Sequence, residues 1–380
     1  MKIRQVTLQG KFPAADLADL AAIAPQLVFV FGSVSPFTAS GLHERLKQGL
    51  PAAALVGCTT AGEIGDGGVT DGKLVLSALH FDHPDFKVVV TTLGGMDDSA
   101  AAGARLARQL AGDGLHDVLV LGQGVDINGS ALIEGFQQVL PSNVVLSGGL
   151  AGDGGAFTQT FTLSDAGISD RQLVAIGFFG AHTRVSHGSF HGWQPFGPAR
   201  KVTRSAGNVL YELDSEPALD VYKRYLGEYA KDLPGSGLLF PFEMLGEDHG
   251  TVGLIRTILA IDEAAGSLIL AGDIIEHGYL KLMHASTDSL VDGAQTAAER
   301  CLDTAATSGE SLALLVSCVG RKLVMGGRVD EEVEAVADVF GKKAHVTGFY
   351  SNGEISPLPN GLDCRLHNQT MTITHLSEAA

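Results

Sequence analysis

Three short stretches carry the residue types best suited to hold a small molecule. Gly57-Cys58-Thr59-Thr60-Ala61-Gly62-Glu63-Ile64 and Gly348-Phe349-Tyr350-Ser351-Asn352-Gly353-Glu354-Ile355 both run through small or hydroxylated residues to a glycine followed by a glutamate. A third, weaker copy, Ser147-Gly148-Gly149-Leu150-Ala151-Gly152-Asp153, ends in an aspartate. A carboxylate in such a turn can accept N–H groups from a ligand or meet a cation. For any single copy the alternative is ordinary turn chemistry, because glycine takes positive φ freely and acidic side chains satisfy loop backbone.

Arg321 follows the apolar run Leu312-Ala313-Leu314-Leu315-Val316. Its guanidinium suits bidentate capture of a carboxylate or phosphate, and Glu354 suits an amine, so together they fit a zwitterion such as an amino acid. The two could equally pair with each other. Cys318, three residues before Arg321, is a candidate nucleophile if the cation lowers its thiol pKa, with His367 or His345 as base; burial as inert core is the alternative. His187 and His191 lie in a segment rich in glycine and aromatic residues. On a strand they would stand roughly 13 Å apart at about 3.3 Å per residue, too far to share a metal, but either could serve as an axial haem ligand. The G-x-G at Gly122 and Gly124 does not complete a dinucleotide fingerprint, and no P-loop, G-x-S-x-G or H-E-x-x-H string occurs.

The elements that must position these residues read as strand, helix, strand and corner. Apolar runs at 27–31, 118–121 and 312–316 predict buried strands, each followed by a helical pattern and a second apolar run that delivers a glycine-acid corner. Parallel strands need such crossovers, and ligands bind outside their carboxyl ends. The fold class expected is α/β, with two related halves, mixed and largely parallel sheets, and flanking helices. A linking region at 203–249 places the boundary between residues 1–215 and 216–380.

Composition narrows the classes further. With 45% apolar and 18% charged residues the chain can build a large core, which excludes disorder. Its net charge of -17 opposes phosphate backbones and anionic membrane. No nucleic-acid or membrane partner is therefore expected. Four dispersed cysteines form neither a zinc motif nor a disulfide framework, and no signal core or membrane-spanning run is present. A cytoplasmic protein is expected.

The corner strings, together with Gly192-Trp193-Gln194-Pro195-Phe196-Gly197-Pro198, Ser317-Cys318-Val319-Gly320-Arg321 and Leu366-His367-Asn368-Gln369-Thr370-Met371-Thr372, resemble the FIST sensory family over nearly the whole chain. The resemblance implies a non-enzymatic sensor that binds a small, amino-acid-like ligand and regulates a separate signalling partner such as a histidine kinase. The strand-end corners place the candidate ligand-binding set at Cys318, Arg321, Tyr350, Asn352, Glu354, His367 and Asn368, with a secondary set at Thr59, Glu63 and Asp153. Stand-alone members of this size also resemble the NosP-type haem proteins that sense nitric oxide. An enzyme using Cys318 is the remaining alternative.

Overall fold

A computed structural model describes residues 1–9, 12, 14–302, 307–358 and 361–379. Three six-stranded sheets share one plan. Each contains one parallel pair: Leu27–Gly32 with Ala54–Thr59, Leu115–Gly122 with Val145–Leu150, and Thr307–Cys318 with Ala344–Ser351. The other pairings in these sheets are antiparallel. The α/β class and mixed sheets thus hold, with the parallel relation confined to one pair per sheet.

Alternation along the central strands explains how the sheets assemble. Phe29 and Phe31, Leu119 and Leu121, and Leu314 and Val316 all point into one common core. The intervening residues point outward. Val28 and Val30 meet Leu42 and Leu46 of the helix Leu42–Gly49. Val118 and Val120 meet the helices Ser99–Leu110 and Gly129–Gln137, and Ala313 and Leu315 meet Thr287–Cys301 and Asp330–Phe340. Both faces of each central strand are covered, which is why these segments read as unbroken apolar runs.

One glycine within the second strand of each parallel pair has an equivalent role. A Cβ on Gly57, Gly148 or Gly348 would come within 2.0 Å of the carbonyl oxygen of Val30, Val120 or Leu315 on the neighbouring strand, so only glycine lets the pairs approach. After each corner the chain crosses to another sheet. Glu63–Gly65 pairs with Ala344–Ser351, Thr162–Ser164 with Ala54–Thr59, and Gly353–Pro357 with Val145–Leu150. Every sheet is therefore completed by a strand from a different repeat.

A fourth, antiparallel sheet of eight strands occupies Gln194 to His284. Its two edge strands, Thr251–Arg256 and Ile258–Asp262, are separated only by Thr257, so the sheet curls until its edges meet. The helix Ala218–Leu226 packs into the curl through Leu219, Tyr222 and Leu226. Residues 203–249, expected to link two halves, contribute strands and helix to this sheet. Leu213 pairs with Glu216 across the expected boundary. Pro234 and its neighbouring glycines, which read as a loop, lead a short 3₁₀ turn, Gly235–Leu239, that precedes the strand Phe242–Leu245.

Candidate functional site

The three corners meet in a ring of backbone hydrogen bonds. Ala61 N–H donates to the Tyr350 carbonyl at 2.8 Å, Gly152 to Thr59 at 2.9 Å, and Asn352 to Leu150 at 3.1 Å. Each donor lies two residues after its own corner's acceptor, so the register of the three repeats is fixed. In that register Glu63 and Glu354 are equivalent, and both are fully buried. Their counterpart in the second repeat is Gly154; Asp153 falls one position early.

Both glutamates close over the ends of a parallel pair. Glu63 accepts the hydroxyls of Ser33 (2.6 Å), Thr60 (2.8 Å) and Thr70 (3.2 Å) and the amide of Lys73 (3.2 Å), which fills its carboxylate. Glu354 accepts the Ser351 hydroxyl at 2.7 Å and the Thr370 amide at 3.3 Å, and Cys318 also bonds to it. With fewer donors and complete burial, Glu354 is pushed up to about 8. Gly154 supplies no such cover to the second sheet. Over the ends of Leu115–Gly122 and Val145–Leu150 a cleft of about 500 Å³ opens instead.

The second sheet's end supplies one wall of this cleft through Gly124, Asn128, Leu150 and Asn352, and the curled sheet supplies the other through Leu238, Ile258, Leu259 and Ala271–Asp273. Phe157, Met96 and Leu259 bring exposed apolar surface to its mouth. Asp153 acts here at one remove. Its carboxylate collects the amides of Phe157, Thr158 and Gln159 at 2.9, 2.6 and 3.1 Å and so holds Phe157 at a φ of 52°. Asn352 donates its Nδ2 to the Gly124 carbonyl at 3.2 Å, and its Oδ1 is buried without a partner.

Cys318, Arg321, Tyr350, Glu354, His367 and Asn368 are not among the residues that line the cleft. Arg321 is fully buried and turned to Glu332, not to Glu354: its Nη2 stands 2.7 Å and its Nε 3.2 Å from Glu332 Oε2, while Nη1 and Nη2 also donate to the carbonyls of His191 and Leu290. Tyr350 and Ser317 hydroxyls donate to the other Glu332 oxygen at 2.5 and 3.0 Å. In this network the Arg321 guanidinium and the Tyr350 hydroxyl are engaged by Glu332, and Arg321 makes no hydrogen bond to the Glu354 expected beside it. Glu332 was missed because it sits in an acidic run, Asp330-Glu331-Glu332, that reads as a solvated first helical turn. His367 Nε2 bonds to the Ser356 carbonyl, and burial pushes its pKa down to about 4. His367 Nδ1, Asn368 Oδ1 and Gln369 Oε1 are buried without partners. Thr59 is buried and accepts the Phe161 amide.

Burial pushes the Cys318 thiol up, opposite to the direction a nucleophile needs, and Cys301 rises to about 12 for the same reason. All four cysteines are expected to resist a thiol reagent at neutral pH and to label fully on denaturation; rapid labelling of Cys318 in the native protein would reverse this conclusion. Neither haem candidate lines the cleft. His187 Nε2 lies 2.6 Å from Asp117, and His191 accepts the Trp193 amide and stacks on Phe190, with burial lowering it to about 4. No histidine is found among the described residues that line the cleft.

No helix among the described residues is long and apolar enough to cross a membrane. Similarity to known proteins is broad but distant. The chain is 24% identical over 223 residues to an uncharacterised protein of Methanocaldococcus jannaschii, a match spanning 55% of this chain and 42% of that relative. The crystal structure of cyanuric acid hydrolase from A. caulinodans aligns over 100% of this chain and 99% of its own, with a TM-score of 0.39 and 9% identity, a likeness too slight to carry any argument. The FIST N domain matches residues 26–216 and the FIST C domain residues 218–357. The chain therefore belongs to the FIST family, whose domains are small-ligand sensors of signal transduction.

Proposed function

We propose that this protein senses a small amino-acid-like ligand through the cleft over its second sheet and acts in the cytoplasm on a separate signalling protein, such as a histidine kinase. The observation that carries this reading is the uncovered end of one parallel pair, where the two equivalent ends are closed by buried glutamates. The lining supports it, being largely apolar with few polar groups. Asn128 caps the helix Gly129–Gln137 by accepting the Ala131 amide at 3.0 Å, leaving first-turn N–H groups at the cleft to meet a carboxylate. Asp273 and the unpartnered Asn352 Oδ1 can meet an ammonium.

A ligand there touches both the repeat body and the curled sheet, so it shifts their equilibrium to the extent that it prefers one arrangement. Calorimetry across a panel of amino acids and related amines and acids tests the reading. Asn352→Ala is expected to weaken binding about tenfold while leaving the unfolding midpoint nearly unchanged. Heat from no member of the panel, or equal affinity in the variant, overturns it. A haem mode drawn on His187 or His191 would instead show as intense visible absorption by the purified protein supplied with haemin.

A further inference from the structure

A smaller cleft of about 300 Å³ adjoins the first and shares Asp273 and Leu366 with it. Arg256, which lines it, ends the strand Thr251–Arg256 and is only 4% exposed. Its Nε donates to the Asp273 carbonyl at 3.1 Å, and Nη1 donates to the carbonyls of Ile255 at 3.2 Å and Leu366 at 3.0 Å. Nη2 has no acceptor among the described residues, and no carboxylate there bonds to the guanidinium. Arg321, equally buried, has Glu332 at 2.7 Å. Arg256 by contrast has no bonded counter-ion among the described residues; the Asp273 carboxylate acts on it only through longer-range attraction, offset in part by Arg365.

A buried guanidinium served only by carbonyls bears a desolvation cost that an anion would offset. Burial lowers its pKa only to about 10, so it remains charged at neutral pH. Gly272 keeps one edge of the group clear: a Cβ there would stand 3.0 Å from Nε, 3.1 Å from Cζ and 3.4 Å from Nη2.

We propose that Arg256 anchors a second ligand site, in the smaller cleft, for a small molecule bearing a single carboxylate, with Nη2 donating its N–H groups to the oxyanion. Glu134 and Asp273 line the same cleft, and Asp363 there is paired with Arg365 at 2.7 Å. These acids oppose a multiply charged anion, so a monocarboxylate is favoured over phosphate. The site does not depend on what the larger cleft binds.

Calorimetric titration of the full chain with acetate, and separately with inorganic phosphate, tests the assignment, alongside butanedione modification of arginines read by peptide mass spectrometry. Acetate is expected to bind more tightly than phosphate and to slow modification of Arg256 without protecting exposed Arg204 or Arg328. Arg256→Gln is expected to weaken acetate binding about tenfold or more. Should that variant fail to fold, Glu134→Gln supplies the second reading: removal of a like charge is expected to tighten acetate binding about twofold or more. Absence of binding and protection by either anion overturns the site, and tighter binding of phosphate overturns the monocarboxylate assignment.

Discussion

Arg321→Ala is expected to lower folding stability by about 3–5 kcal/mol, because it strands the fully buried Glu332 carboxylate without its counter-ion. The pair is fully buried, and Glu332 is held from three further directions by Tyr350, Ser317 and the second Arg321 nitrogen. Removing either charge leaves the other with its desolvation cost and no compensating attraction. Urea denaturation at neutral pH gives the comparison, with Asn352→Ala as a cleft control expected to stay near wild type. Replacing both partners together, as Arg321→Met with Glu332→Leu, is expected to recover much of the loss, since apolar side chains of similar volume need no such compensation. Near-normal stability of Arg321→Ala would instead return this residue to the ligand-binding role that its position in the sequence suggests.

Between pH 6.5 and 8 the wild-type protein is expected to lose stability by roughly 1.4 kcal/mol per pH unit, and Glu354→Gln to show that loss largely abolished. The sign follows from the direction of the shift. Burial raises Glu354 from 4.5 to about 8, so the folded protein keeps a proton that the unfolded chain releases. Its contribution is complete below pH 4.5 and disappears as pH rises through 8. His191 and His367 behave oppositely: both fall from 6.5 to about 4 through burial, so their contribution is present above 6.5 and lost as pH falls through 4. His345, raised above 6.5 by its bond to Asp66, and the Met1 ammonium, raised by Glu378 and Asp82, lose stability in the same direction, so the difference between wild type and Glu354→Gln isolates the glutamate. Chemical denaturation at half-unit pH intervals measures the slope; parallel curves for wild type and Glu354→Gln would show that Glu354 is ionised throughout.

The repeated strand, helix, strand and corner was legible because both faces of each central strand are covered, leaving runs such as Leu27–Phe31 without a polar interruption. The glycine-acid corners were legible as repeats but not as sites. In sequence, Asp153 looks like the third copy of Glu63 and Glu354, and only the hydrogen-bond ring shows that Gly154 holds that position. The consequence is an opening that no residue string announces. Likewise, Arg321 is followed by two candidate acids, Glu332 on the helix Asp330–Phe340 and Glu354 on the next corner. Sequence spacing cannot say which one the guanidinium turns to, and Glu332 wins by lying within 2.7 Å. The curled sheet was least legible, because Thr257 divides what reads as one strand into the two edges that bring Ile258 and Leu259 to the cleft.

The exchange of strands among the three sheets bears on how the chain is made. Glu63–Gly65 pairs locally with Gly68–Thr70, but its other edge is completed only after residues 344–351 have left the ribosome, and the second edge of Val145–Leu150 waits for Gly353–Pro357. Nascent chains therefore carry unpaired edges through most of synthesis, and loop closure across hundreds of residues must precede the final pairing. Slow maturation and demand for chaperone protection follow from the same interlock that closes the finished ring.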